Sequence, residues 1–498
     1  MIQRAYKFAS RGVEAWRSGG LKFLSDLAAL ASGQFAAKVV GFAAFAFLAR
    51  VLDPEGYGAV EYVVGLSVFF AMIVEAGLGP IGVRRVIQNP TSLSRVAFQI
   101  PFARLIIAAV GVPIMALFAT VAMKGQAPSG LIWLFAGSLM FAPWHQEWLL
   151  QASDRMKEAA IAQVLRPLVF GAVIWAFIHG PDNLLAVGWA EVASVTGMTV
   201  YVIWIQHTRI APLRLRGSFE GLGGLFREGW GMGSTNIVWA TNQYAPLFLV
   251  GAMMGGVQVA WFGAASRIVA SLLTFSNLYH FNLYPAVARA TSQDREALGH
   301  ILRRSFRVVS WAGIGIALGF TLFGDLVTRI AFGPKLGAAA PLLQILVWSL
   351  PLALCSGHAR WGLVAAGAQT RVLWSQIAGL TVLLVTAPLL GHLLGAIGYA
   401  IGAVSSAATV WVVSHIFAVR RGARPPPLSL ALRPALLALI IGLAWKYLWP
   451  DAIWAPMAGV GLFAVAAPLL DRKLIPDAIL LAGSKLSRRS GPDPTTAT

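Results

Sequence analysis

The chain has 498 residues, 57 % of them hydrophobic and 12 % charged, with a formal net charge of +19 and a mean hydropathy of +0.71. Soluble globular proteins carry roughly 25 % charged residues, so this composition excludes a soluble fold and points to an all-α polytopic membrane protein. A basic balance of this size would suggest nucleic acid in a soluble protein; here the placement of the charges decides otherwise.

Apolar stretches of roughly 17–25 residues, enough to span a bilayer, recur from end to end. In chain order, about 14 spans are predicted: 24–49, 57–83, 98–122, 129–151, 158–178, 184–206, 228–252, 256–284, 306–324, 339–365, 372–391, 396–419, 432–449 and 453–470. A basic segment, 1–23, precedes them and a tail, 471–498, follows. With the N-terminus in the cytoplasm, most Lys and Arg fall on that side. They include Arg84, Arg85 and Arg95, the linker residues Arg209, Arg214, Arg216 and Arg227 (207–227), Arg303 and Arg304, and Arg420, Arg421 and Arg424 in the Pro-rich linker 420–431. The opposite side receives only Arg50, Lys124, Arg329, Lys335 and Lys446. This positive-inside asymmetry places both termini in the cytoplasm, makes anionic lipid headgroups the neighbours of the basic loops, and removes nucleic acid as a partner. The first span carries Lys38 and is followed by no clean small-residue cleavage site, so it reads as a retained helix rather than a signal peptide. The single cysteine, Cys355, lies within a span and forms no internal disulfide.

Two polar clusters share one spacing. "PWHQEW" (Pro143 to Trp148) is echoed 213 residues later by "SGHARW" (Ser356 to Trp361), and the same offset pairs Phe135 with Trp348 and Gln163 with Gln376. "GPIGVRR" (Gly79 to Arg85) likewise resembles "LYPAVAR" (Leu283 to Arg289). The pattern predicts two six-helix lobes, 24–206 and 228–419, in a parallel pseudo-twofold repeat, an arrangement that favours a site at the lobe interface. Two C-terminal helices, 432–470, have no counterpart. His145 and Trp148, and His358 and Trp361, are expected near the cytoplasmic face with the tryptophans as interfacial anchors.

"FLARVLDPEGYGAVEYV" (Phe47 to Val63) resembles the first hairpin of bacterial polysaccharide flippases of the Wzx type. "NLYHFNLYPAVARATSQDREALGHILRRSF" (Asn277 to Phe306) resembles the stretch joining helices eight and nine in those proteins and in MurJ-type lipid II flippases. The resemblance covers roughly residues 24 to 420, in pattern more than in fixed motifs. It implies the multidrug/oligosaccharidyl-lipid/polysaccharide exporter superfamily, and a cargo of oligosaccharide on a polyprenyl diphosphate moved from the inner to the outer leaflet. Surface-polysaccharide (O-antigen or exopolysaccharide) biosynthesis in the bacterial cytoplasmic membrane is the implied setting, with membrane lipids and possible assembly proteins as partners.

An Arg or Lys at a helix centre costs ~2.5–3.5 kcal/mol on insertion scales, so deep charges face a watery cavity or a partner. Lys38 lies near the middle of helix 1 and Arg267 near the middle of helix 8, both of which border the cavity in the resembled fold. A diphosphate is a natural counter-charge; the alternative is structural pairing with Glu75 or Glu191. Arg104, Arg166 and Arg360 sit nearer the cytoplasmic ends, where long side chains snorkel to the headgroups, and rank as weaker cavity candidates together with Glu75 and Glu191. Glu61, one turn inside helix 2, reads as solvated or capping. On helix 7, "STNIVWATNQYAP" sets Thr235, Trp239 and Asn242 near one face with Asn236 and Gln243 beside them; this stripe suits sugar hydroxyls or interhelical hydrogen bonds. The repeat offset aligns Glu147 with Arg360, a candidate gate pair. No Gly-x-Ser-x-Gly, Walker A, His-Glu-x-x-His or Cys-x-x-Cys motif occurs, so a transporter rather than an enzyme is expected, with no metal or cofactor beyond a possible coupling cation. A cation/drug antiporter of the same superfamily and a membrane polysaccharide polymerase remain the alternatives.

Overall fold

The computed structural model describes residues 20–212, 219–293, 295–422, 425–450 and 452–486. The basic Arg4, Lys7, Arg11 and Arg17, the linker residues Arg214 and Arg216, Arg424, and the tail residues Arg488 and Arg489 lie outside the described residues, as do the side chains of Lys22, Pro285 and Arg289. Among the described residues there are nineteen α-helices and no strand. Among the described residues, eleven spans are long and apolar enough to cross a membrane, which makes this a multi-pass membrane protein. The other three predicted spans have physical reasons for standing apart. Residues 129–151 do not form one helix: α5 (Ser129–Ser138) passes into a 3-10 turn (Leu139–Trp144) and resumes as α6 (Glu147–Ala152). Pro143 lies inside that turn and supplies no N–H for a helical bond. The helix α9 (Leu222–Met253) is 32 residues long but carries Asn236, Asn242 and Gln243 in its middle. The last apolar helix, α18 (Ala455–Leu470), has only 16 residues.

The first hairpin shows how the sequence encodes its turns. Between α1 (Gly20–Val51) and α2 (Pro54–Glu75), Asp53 caps α2 by accepting a hydrogen bond from the Gly56 N–H at 3.3 Å, with Pro54 at the first helical position. Gly58, one turn on, admits another backbone: a Cβ there would lie 1.9 Å from the Gly256 carbonyl oxygen. Lys335 Nζ donates to the carbonyls of Arg50 and Leu52 at 3.3 and 3.4 Å, satisfying acceptors left open at the end of α1.

On α4 (Leu93–Met123), Val110, Ile114, Leu117 and Val121 are 51–67 % exposed, whereas Ala108, Met115, Ala116 and Ala119 are at most 2 % exposed. Bulky aliphatic side chains turned outward and mostly alanines inward, with Met115 filling the one large inward position among these, is the pattern of a lipid-facing helix, because close approach of helices drives packing in a bilayer.

The chain divides into two compact units, residues 1–264 with 331–337, and residues 265–330 with 338–498. In the first, α1 packs along α7 (Met156–Phe177), and α7 along α8 (Leu184–Ile205). The helix α9 packs against α2 and α4. The unit boundary falls inside α10 (Gly256–Gln293). Glu61 is 4 % exposed and accepts a hydrogen bond from the Tyr57 hydroxyl at 2.6 Å, so it is buried rather than solvated.

In the second unit, α15 (Gln369–Leu394) and α16 (Ala396–Arg420) form the tightest hairpin, turning at Gly395 (φ 63°). The C-terminal helices α17 (Ser429–Leu448) and α18 pack against α11 (Arg295–Leu322) through Trp311, Ile314, Leu318, Ile441 and Phe463. An ionic cluster adds to this core. Arg307 on α11 binds Asp471 at 3.1 Å and also Asp477 on α19 (Leu474–Leu486), and Arg304 binds Asp477 at 3.4 Å.

Two outcomes test this packing. Gly58→Ala is expected to destabilise the protein by about 1–3 kcal/mol through overpacking, whereas Gly442→Ala, whose added Cβ meets nothing within 4 Å, leaves the thermal midpoint unchanged or raised; detergent-solubilised protein followed by size-exclusion after heating reads both. Arg307→Met leaves two buried carboxylates without their main cation, at a cost of about 3–5 kcal/mol. Limited proteolysis should then release the C-terminal helices early, and adding Asp471→Asn with Asp477→Asn should restore most of the resistance.

Candidate functional site

The break in the fourth predicted span creates the most densely polar part of the first unit. His145 (ψ 75°) and Gln146 (ψ 49°) leave helical geometry between the 3-10 turn and α6. Their backbone groups need partners that a continuous helix would have supplied, since lipid offers none. The His145 carbonyl accepts from Arg104 Nη1 on α4 at 3.4 Å, and the His145 ring nitrogen Nε2 lies 3.4 Å from the Val195 carbonyl on α8. Gln146 Nε2 donates to Gln206 Oε1 at 2.9 Å in a fully buried pair.

Around this break the charges close into a network. Glu75, the last residue of α2, lies 3.9 Å from Arg104 Nη2. Arg166 on α7 donates to Glu191 on α8 at 2.5 Å. Glu147, the first residue of α6, accepts from Gln163 Nε2 at 3.0 Å, with Gln163 and Arg166 one turn apart on α7. Gly79 at the start of α3 (Leu78–Gln88) leaves space for the first pair: a Cβ there would meet Arg104 Nη2 and Glu75 Oε1 at 3.3 Å each.

Four of the weaker candidates, Arg104, Arg166, Glu75 and Glu191, therefore come together in one unit with Glu147. Two expectations are corrected. Arg104 is 4 % exposed and does not snorkel to the headgroups, its guanidinium lying 3.4 Å from the freed carbonyl and 3.9 Å from Glu75. Glu75 lies 3.9 Å from Arg104, and Glu191 2.5 Å from Arg166. Trp148 is also no interfacial anchor: it is 5 % exposed, with its ring against Gly82 in the core formed by Leu78, Ile81, Ile100 and Leu225.

The second unit holds a different polar chain at the repeat-related position. The Tyr279 hydroxyl bonds Ser305 Oγ, which lies 2.8 Å from His358 Nε2. His358 Nδ1 and His280 Nε2 both approach the Leu354 carbonyl at 3.1 Å, and His280 Nδ1 is 2.8 Å from the Ser276 carbonyl. Gly357 is what admits His280, for a Cβ there would sit 2.0 Å from its Nε2. Arg360 belongs to this unit; its Nε is buried without a hydrogen-bond partner, and among the described residues it forms no ion pair. Of this chain the sequence reading named only His358 and Arg360. His280, Ser305 and Tyr279 carried no signal beyond being polar in apolar helices.

Lys38 is exposed on α1 in the first unit, and Arg267 is half-buried on α10 in the second, its carbonyl accepting from Ser271 Oγ at 2.9 Å. On α9, Asn236 and Gln243 are exposed and make no hydrogen bond among the described residues. Thr235, Trp239 and Asn242 are half-buried, and Asn242 Nδ2 turns back to the Val238 carbonyl at 3.3 Å. No group of three or more His, Cys, Asp or Glu among the described residues is arranged to hold a metal ion.

Comparison with known proteins gives this geometry a family. A putative O-antigen transporter of Escherichia coli (strain K12) is 20 % identical over 307 residues, covering 61 % of this chain and 74 % of that protein. The fold is shared with the lipid II flippase MurJ in an inward closed conformation, at a TM-score of 0.70 and 14 % identity over 90 % of this chain and 99 % of that one. It is also shared with an inward-facing multidrug resistance MATE family transporter of the MOP superfamily, at 0.64 and 15 % over 78 % and 95 %. Residues 23–291, more than half of the chain, match the family model described as polysaccharide biosynthesis protein, and the protein belongs to that family.

Proposed function

We propose that the protein is a flippase that carries polyprenyl-diphosphate-linked oligosaccharide from the inner to the outer leaflet of a bacterial cytoplasmic membrane by alternating access, with both termini in the cytoplasm. The family and the O-antigen transporter relative support a saccharide cargo. The observation that carries the reading is the exposed amide pair Asn236 and Gln243, seven residues apart on one side of a membrane-length helix. Amides left without partners in hydrocarbon cost several kcal/mol each, so that face is suited to water and sugar hydroxyls, with Thr235, Trp239 and Asn242 alongside.

In this reading Lys38 and Arg267 hold the diphosphate, and the polyprenyl tail stays in lipid. Glu147 and Arg360, related by the repeat and each without an ion pair among the described residues, pair when the cytoplasmic side closes. Membrane lipids and other polysaccharide-assembly proteins are the partners. Drug or cation antiport by the same fold is the alternative; of the acids it would use, Glu191 is bound to Arg166 at 2.5 Å, whereas Glu75 lies 3.9 Å from Arg104 with half its side chain exposed.

The test is leaflet-resolved labelling of polyprenyl-diphosphate sugars. A deletion strain should accumulate them in the inner leaflet, and loss of polysaccharide chain length without that accumulation would identify a polymerase instead. Lys38→Ala and Arg267→Ala should each weaken cargo binding about 10- to 100-fold, the loss of one charge-assisted hydrogen bond, while leaving membrane insertion intact. Glu147→Arg and Arg360→Glu should each block transport, and the double swap should recover part of it; no recovery would remove the gate pair.

A further inference from the structure

The network around the broken helix does not balance its charge. Glu75, Glu147 and Glu191 face two guanidiniums, Arg104 and Arg166. Arg166 is committed to Glu191 at 2.5 Å, and the nearest cation contact of Glu75 is Arg104 at 3.9 Å. Glu147 is left with a neutral donor, Gln163 Nε2 at 3.0 Å, and no cation within ion-pair distance among the described residues. The charged groups that face it are Glu75 on α2, Arg104 on α4 and Arg166 on α7. Lys157, at the start of α7, is exposed, and the remaining charges on the elements packed against α6 are occupied elsewhere. On α3, Arg84 and Arg85 bind Glu228 at 2.9 and 2.7 Å, and at the start of α7 Glu158 binds Arg155 at 2.6 Å.

A second observation comes from the amide that holds Glu147. Gln163 Oε1 is buried and has no hydrogen-bond partner. A buried acceptor left open costs roughly 1–3 kcal/mol, and in a native structure it calls for an explanation. An ionised glutamate has only acceptors and offers Gln163 Oε1 nothing, whereas a protonated one has an O–H to donate. With the proton present, the carboxyl and the amide pair reciprocally: Gln163 N–H to the carboxyl oxygen, and carboxyl O–H to Gln163 Oε1. One added proton removes both faults, the excess negative charge and the orphaned acceptor.

We propose that Glu147 is a proton-binding site, occupied at neutral pH, with Gln163 as the residue that holds the carboxyl in its protonated form. The proton comes from water, forms the O–H bond on the free carboxyl oxygen, and returns to water when the site empties. Glu147 is then neutral while the network is closed, and becomes an anion only on losing the proton. Pairing with any cation therefore releases one proton, which ties the proposed gate to pH.

Infrared spectroscopy of the purified full-length protein in lipid nanodiscs reads the site without reference to transport, so its result and that of the flippase test stand apart. At neutral pH the wild type should show a protonated-carboxyl C=O band that is lost in Glu147→Gln and kept in Glu75→Gln and Glu191→Gln, and alkaline titration should remove the same band. A difference spectrum without such a band, or one in which Glu147→Gln leaves it undiminished, overturns the proposal. Should Glu147→Gln fail to fold, Gln163→Leu serves: it removes both halves of the reciprocal pair, and the band should move to higher frequency or vanish. An unmoved band there overturns the proposal equally.

Discussion

Hydrocarbon offers no hydrogen bonds, and that single constraint organises this protein. Every backbone group released by a helix break and every charge carried into a span must find its partner within the chain. The break from Leu139 to Gln146 shows the consequence most directly. Pro143 stops the helical ladder, the His145 carbonyl is released, and Arg104 is drawn in to satisfy it. Arg104 in turn is met by Glu75, while Gln163 holds Glu147 and Arg166 holds Glu191. A local failure of secondary structure thus becomes a polar centre joining α2, α4, α6, α7 and α8.

The same constraint explains how the helices pack. Burial of bulky side chains gives little advantage when the solvent is itself apolar, so close helix contacts run through Gly and Ala, as on the second half of α4, where Ala108, Ala116 and Ala119 are buried while Val110, Ile114, Leu117 and Val121 face outward. The close backbone approach at Gly58 and the Gly82 seat for the Trp148 ring follow this rule. Charge adds to such contacts where the C-terminal helices meet α11: Gly315 seats the Phe463 ring, Gly459 faces Leu322, and Arg307 lies between Asp471 and Asp477.

The two units use repeat-related positions for different chemistry. His145 and His358 both lie within polar chains, yet one is followed by Glu147 and the other by Arg360. In the first unit Glu191 is bound to Arg166 at 2.5 Å, whereas Glu75 lies 3.9 Å from Arg104 and Glu147 is held by the neutral Gln163.

Composition and periodicity were enough to specify a helical, many-spanning membrane protein, because bilayer thickness imposes a length that can be counted in residues. The turn between α1 and α2 rests on local geometry, with Asp53 capping α2 and Pro54 at its first position, whereas Gly58 acts only through the distant backbone of Gly256. Depth along a helix was legible only roughly, and direction around it was not. Arg104 and Trp148 read as residues reaching for the interface, yet both point inward, because the freed carbonyl of His145 and the notch at Gly82 exist only once α3, α4 and the broken helix are packed together. The partners of Glu75 and Glu191, the orphaned Gln163 Oε1 and the membership of α9 in the first unit were likewise decided by tertiary structure. Such pairings join residues up to dozens of positions apart, and only the three-dimensional arrangement of helices fixes which charges fall within a few ångströms of one another.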